Sequence, residues 1–167
     1  LAKVSGNITM DNGDMILTTR HLDYNRTANT AYYKGGGHIV NHKDNNTLAS
    51  KIGYFYPESN TFFFKENVVM HSKEYNITSD TLKYNTSSET TYFIGPTNIV
   101  SDSSSIYCEW GWYNGKSGDS RFVKNADVIS KAQHIKGDTI DYNKTTNAGL
   151  ITGHAMIADT TEKLEVY

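Results

Sequence analysis

The chain has one cysteine, two prolines, no surplus of positive charge and no long apolar run in its 167 residues. A lone cysteine, Cys108, cannot form an internal disulfide, which excludes a disulfide-stapled secreted scaffold. A formal net charge of -2 argues against nucleic acid as a partner, since phosphate binding needs a basic stripe. No stretch approaches the ~18 consecutive apolar residues of a membrane helix. No window repeats its apolar residues at a helical period, so almost no helix is expected. The pattern of a secretory leader is missing too. The chain opens inside a strand-like stretch, Val4 to Met10, and closes on another, Leu164 to Tyr167, as a piece trimmed from a longer chain would.

Catalytic signatures are equally scarce. The sequence holds no Cys-x-x-Cys, His-Glu-x-x-His, phosphate-binding loop or Gly-x-Ser-x-Gly, so metalloprotease, nucleotide hydrolase and α/β-hydrolase chemistry lack support. His38 and His42 lie four apart, which on a strand separates them by ~13 Å, too far for one metal ion. No metal and no cofactor is expected.

What the chain does have is tyrosine, 12 of them, in a background of Thr, Asn and Ser that suits strands and turns. The phrase Ile77-Thr78-Ser79-Asp80-Thr81-Leu82-Lys83-Tyr84-Asn85 returns as Ile135-Lys136-Gly137-Asp138-Thr139-Ile140-Asp141-Tyr142-Asn143, and more loosely from Leu17 to Asn25. With Tyr56 and Tyr113 as worn copies, the tyrosine markers fall at 24, 56, 84, 113 and 142, a period of about 29 residues. Within a copy, apolar or small residues alternate with polar ones, slip phase once at Asp80 or Asp138, then resume. One extra residue in a strand does this, so each copy reads as a strand with a β-bulge. A polar turn and a second strand follow in each unit, as at Asn67 to Met70 or Asn98 to Val100. Each unit is a hairpin, and the fold class is all-β.

Asp80, Glu109 and Asp138 occupy equivalent positions in successive units, and a pair of carboxylates is what a glycosidase needs. A bulge favours Asp for its own backbone reasons, however, and that accounts for the position without catalysis. No catalytic residue is assigned. Aromatics interleave with lysine between Tyr54 and Lys65, as on a sheet face with solvent-exposed lysines.

The units at 77–84 and 135–142, with Gly- or Asn-led apolar strands such as Asn67-Val68 and Asn98-Ile99 between the copies, resemble the repeat of OstA-like domains, the LptA family of periplasmic lipopolysaccharide transport, which also includes the N-terminal domain of LptD. The likeness runs from about Val4 to Ile157. The copy around Ile52 to Tyr56 lacks the Asp, and the copy from Ile106 to Tyr113 carries Glu109, Trp110 and Trp112. The resemblance implies one antiparallel, twisted β-jellyroll domain over residues 1–167, open at both ends. It further implies a non-enzymatic role in the periplasm of a Gram-negative bacterium, possible association with the outer membrane, and an apolar groove for the lipid A part of lipopolysaccharide. Partners would be other OstA-like domains, or further copies of this chain end to end, joined through edge strands near Val4 to Met10 and Leu150 to Ala158.

The register nominates an inward set: Leu17, Leu22 and Tyr24; Ile77, Leu82 and Tyr84; Ile106 and Tyr113; Ile135, Ile140 and Tyr142. These side chains either fill a closed core or line a groove whose walls stand apart. Trp110 and Trp112 share one face, Tyr113 takes the other, and Cys108 fills the slot of Ser79 and Gly137 as a buried, inert thiol. A repeat-built β-solenoid that binds or cleaves polysaccharide is the alternative. It would pair equivalent strands in parallel, whereas the hairpin reading pairs strands within a unit.

Overall fold

In the computed structural model, residues 1–11, 13–43, 45–159, 161 and 164–166 are described. The first units fold as β1 (Ala2–Asp11), β2 (Met15–Asn25), β3 (Thr30–Asn41), β4 (Asn46–Tyr56) and β5 (Thr61–His71). They continue as β6 (Tyr75–Asn85), β7 (Thr90–Ser101), β8 (Ser104–Asn114), β9 (Asp119–Ser130) and β10 (Gln133–Asn143). The chain then forms β11 (Ala148–Thr152), β12 (Met156–Asp159) and β13 (Leu164–Val166). Helix is limited among the described residues to one 3-10 turn, Pro57–Ser59. Tyr167, the end of the last strand read from sequence, lies outside the described residues.

All strands belong to one antiparallel sheet in which β1 to β10 follow one another in sequence order and β12 and β13 extend the series. β11 also pairs with β10, along Thr139 to Asn143, while β12 takes Gln133 to Lys136. These two short strands are thus the halves of one long strand, broken at Gly153, whose φ is +67°. Neighbouring strands run antiparallel both within and between units, which overturns the parallel pairing of a β-solenoid.

The turns are set by asparagine. Asn85, Asn114 and Asn143 each accept backbone N–H bonds from the turn that follows, as Asn143 Oδ1 does from Thr145 and Thr146 at 2.9 and 2.8 Å. Each also donates through Nδ2 to the preceding hairpin, to the carbonyls of Ser59, Ser88 and Ser117. The four turns at 57–60, 86–89, 115–118 and 144–147 are therefore tied each to the next, and the repeat seen in sequence is a spatial staple.

The phase slip at Asp80 and Asp138 is a real bulge: the register shifts between Ser79 and Thr81 and between Gly137 and Thr139. Every strand pair from β1–β2 to β8–β9 shifts at the same level. Aligned bulges bend all the strands together, because each inserts an unpaired residue and increases local twist. The sheet folds along this crease, and its two halves face each other.

Small side chains line the crease: Thr19, Ser50, Ser79, Thr97, Cys108 and Ala126 are all buried. Bulging frees carbonyls from the ladder, and crease hydroxyls satisfy them. Thr19 donates to Gly36 O at 2.8 Å, Ser50 to Ile52 O at 2.9 Å, and Thr97 to Gly95 O at 3.0 Å. This is why a Ser or Thr precedes the slip in so many units. Cys108 takes one such slot with no exposure at all, and burial pushes its thiol up to about 11.

One marker needs correction. The row of residues paired side by side through Tyr24 runs to Ala31, Phe55, Phe62 and Tyr84. The second unit's copy of the repeated tyrosine is therefore Phe55. Tyr56 points to the other face, because successive residues of a strand alternate.

Candidate functional site

Two rows of side chains rise from the crease, one on each half of the folded sheet. The first is a ladder of direct cross-strand partners: Met10, Leu17, Ile39, Leu48, Met70, Ile77, Ile99, Ile106, Val128, Ile135, Ile157 and Val166. It is unbroken from β1 to β13, and every member is aliphatic or methionine. The second row is Leu22, Tyr33, Gly53, Phe64, Leu82, Phe93, Gly111, Phe122, Ile140 and Ile151. Here rings alternate with glycines for lack of room. A Cβ on Gly53 would sit 2.2 Å from the Tyr33 ring, and one on Gly111 would meet the Arg121 carbonyl at 2.5 Å. The Tyr33 hydroxyl donates to Ser50 Oγ at 2.6 Å, so the ring is held across the crease.

Above the second row stands a third, at the rim: Tyr24, Ala31, Phe55, Phe62, Tyr84, Thr91, Tyr113, Ser120, Tyr142 and Gly149. The crease and the rows beside it pack into one core that includes Val68, Ile77, Leu82, Phe93 and Phe122. Farther out the walls separate and leave three cavities of about 170, 240 and 620 Å³. The first two share Met15, Ile39, Phe62 and Phe64 in their walls, and the last two share Met70, Tyr75, Thr91 and Tyr113. The cavities therefore follow one another along a groove that crosses the strands.

Leu17, Ile77, Ile106 and Ile135 lie on the aliphatic wall; Leu22, Leu82 and Ile140 lie on the opposite one. Tyr24, Tyr84, Tyr113 and Tyr142 stand in the rim row. Leu17 and Leu22 border the first cavity, Leu82, Tyr84 and Tyr113 the second, and Ile77, Ile106, Tyr113 and Tyr142 the third. Tyr24, Ile135 and Ile140 border none of these three cavities. Tyr24 and Tyr142 are 39% exposed, with hydroxyls bonded to Asn29 and Asn147 five residues on.

The sequence reading missed the contribution of the alternate strands: Ile39, Met70 and Ile99 on one wall, and Tyr33, Phe64, Phe93 and Phe122 on the other. Their signal was partly present, since Ile39 and Ile99 sit in the second-strand segments. In Phe62-Phe63-Phe64 the unbroken apolar run hides the phase.

The mouth is polar. Lys144 Nζ meets Glu74 Oε2 at 2.7 Å, joining the β10–β11 turn to the β5–β6 turn across the opening. Beneath this pair lies Tyr75, whose phenol is raised by burial first and by the nearby Tyr113 second.

The repeated carboxylates serve the bulges. Asp80 packs against Gly95, Asp138 Oδ2 lies 2.9 Å from His154 Nδ1, and Glu109 accepts from Asn125 Nδ2 at 2.8 Å. Each contacts the left-handed residues that form the next strand's bulge, where φ is +87° at Gly95, +37° at His154 and +57° at Asn125. Among the described residues no three His, Cys, Asp or Glu side chains are grouped to hold a metal ion.

The profile of OstA-like proteins matches residues 1–80 and again 77–139. No curated protein matches the sequence. Among solved structures the fold is similar to that of LptH from Pseudomonas aeruginosa, described as the LptA-homologous periplasmic component of the conserved lipopolysaccharide transport device. The two are 12% identical, with a TM-score of 0.59 over 66% of this chain and 84% of that one. At that identity the likeness is one of fold, an antiparallel twisted β-jellyroll left open at both ends. Two profile matches that together span most of the chain place it plainly: this protein belongs to the OstA-like family.

Proposed function

We propose that this chain is one OstA-like unit of a lipopolysaccharide transport path in the periplasm of a Gram-negative bacterium, and that its groove shields the acyl chains of lipid A without catalysis. The observation that carries this reading is the continuous aliphatic ladder from Met10 to Val166, with successive cavities above the packed crease. Acyl chains would gain ~25 cal/mol for each Å² removed from water, with no special polar group required. Affinity spread evenly along a ladder also lets a chain slide, since no step along it meets a change of chemistry.

Open edges support assembly with similar domains. β1 is an edge strand, with Val4 and Met10 exposed. At the other end β11 is an edge, but β12 is covered by β13 through Ile157, Ala158 and Asp159. The second docking edge thus comprises β11 and β13 in place of a single strand from Leu150 to Ala158. Unpaired edge N–H and C=O groups template another strand, of a related domain or a second copy.

The test is photo-crosslinking to lipopolysaccharide from a reactive residue at Tyr84 or Tyr113, with Thr78 and its cross-strand partner Asn98 on the opposite face as controls. Adducts at the first pair alone support the groove. Equal labelling of all four, or none, defeats it.

A further inference from the structure

The face turned away from the groove carries its own ordered row, of which Tyr32 and Tyr54, next to inward Tyr33 and Gly53, also border the first cavity while the others border none of the three. Tyr32, Tyr54, Phe63, Lys83, Tyr92 and Trp112 are successive cross-strand partners from β3 to β8. Tyr56 and Trp110 widen the row, at 37% and 38% exposure. The rings contact one another: Tyr32 to Tyr54 at 4.7 Å between centroids, and Tyr54 to Tyr56 at 6.3 Å and 15° apart in plane. Lysine ammoniums lie against them. Lys83 is 4.9 Å from the Tyr92 centroid and 5.7 Å from that of Phe63, and Lys65 is 5.8 Å from that of Tyr54. Among the described residues neither Lys65 nor Lys83 takes part in an ion pair.

We propose that this outer face binds an extended acidic glycan, a β-1,4-linked amino-sugar chain bearing carboxylates, of the class found in bacterial cell wall. The row advances from strand to strand by ~4.8 Å, close to one sugar residue of such a chain. The apolar C–H faces of the sugars would stack on the rings, and their carboxylates would reach Lys65 and Lys83, which have no carboxylate partner among the described residues. An anionic bilayer fits less well. The outward cations of this region, Lys34, Lys65, Lys83 and Arg121, are spread from β3 to β9 in place of the tight cluster of 4–8 Lys or Arg expected of a lipid-reading surface; Arg121 is already paired with Asp141, and the same row holds Asp23 beside Tyr32. These carboxylates repel an anionic bilayer and the glycan's own carboxylates alike, but from the glycan they can also accept hydrogen bonds, through its hydroxyls and amides.

Titration calorimetry in the absence of lipid tests this with four probes: a hexasaccharide of alternating N-acetylglucosamine and N-acetylmuramic acid, neutral chitohexaose, short-chain polyphosphate, and phosphatidylglycerol vesicles. The muramyl hexasaccharide is expected to bind, chitohexaose several-fold more weakly, and the other two not at all. Tyr54→Ala and Trp112→Ala each weaken the muramyl glycan about tenfold. Lys83→Gln, a surface change that leaves folding intact, reduces its affinity to that of chitohexaose. Tyr113→Ala, in the groove, changes nothing, so this result stands or falls separately from lipid transport. Failure of both sugars to bind overturns the proposal, as does polyphosphate binding as well as the glycan, binding confined to vesicles, or indifference to Lys83→Gln.

Discussion

Glu74 and Lys144, seventy positions apart in sequence, meet at 2.7 Å across the mouth of the groove. The contact depends on the sheet being folded along its crease, since the two turns belong to opposite halves. The carboxylate holds the Lys144 ammonium above its ordinary pKa, chiefly by hydrogen bonding.

Because both side chains are largely exposed, the pair adds little to stability. Glu74→Lys should cost less than ~1 kcal/mol, and the swap with Lys144→Glu should restore most of it. Urea melts of the wild type, both single variants and the swap give the coupling, which should shrink as salt is raised. Coupling well above that size would mean the mouth is held far more firmly than an exposed pair allows.

Leu82 is the opposite case, 2% exposed between Phe64 and Phe93 on its wall. Leu82→Ala should lose ~2–5 kcal/mol through lost burial and the cavity left behind. Tyr142→Ala, at the open end of the rim, should cost under ~1 kcal/mol in the same denaturation assay, in the range of exposed substitutions.

Gly53 is required by the ring of Tyr33, not by its own backbone angles. Gly53→Ala drives a methyl into that ring and should destabilise by ~1–3 kcal/mol. Adding Tyr33→Leu, which vacates the space, should recover part of the loss. If the double variant is less stable than the sum of the two single changes predicts, the steric account fails.

Alkaline pH should unfold this protein through its buried acids. Cys108 is raised from 9.0 to about 11, and Tyr33 and Tyr75 are raised by burial. In each case the folded state retains a proton that the unfolded chain gives up. The associated stability is complete below the unfolded pKa and drains away as pH climbs through the folded one. Cys108 alone should account for about 2–3 kcal/mol lost between pH 9 and 11. Its thiol should resist disulfide-exchange reagents at pH 8 until the chain is denatured, and Cys108→Ala should flatten the pH 9–11 decline.

The hairpin repeat and its bulge were legible because both leave marks in a single strand: alternation at two, one slip, and an Asp beside it. Likewise the inward set on β2, β6, β8 and β10 follows from parity alone. The outward aromatics on β4 and β5 were harder to read. In Tyr54-Phe55-Tyr56 and Phe62-Phe63-Phe64 both faces are aromatic, so hydropathy carries no phase, and the marker was placed one residue late at Tyr56 in place of Phe55.

By itself the sequence determined the all-β class, the period of the repeat, the level of the bulge and the family likeness, since each is a local pattern read along one strand at a time. Tertiary structure alone decided that the bulges align into a crease, that Ile77 and Leu82 face one another from opposite walls, and that Glu74 reaches Lys144. Those relations depend on how far the halves of the sheet close on each other. That distance is set by small residues at the crease, by rings lying over Gly53 and Gly111, and by contacts between residues dozens of positions apart.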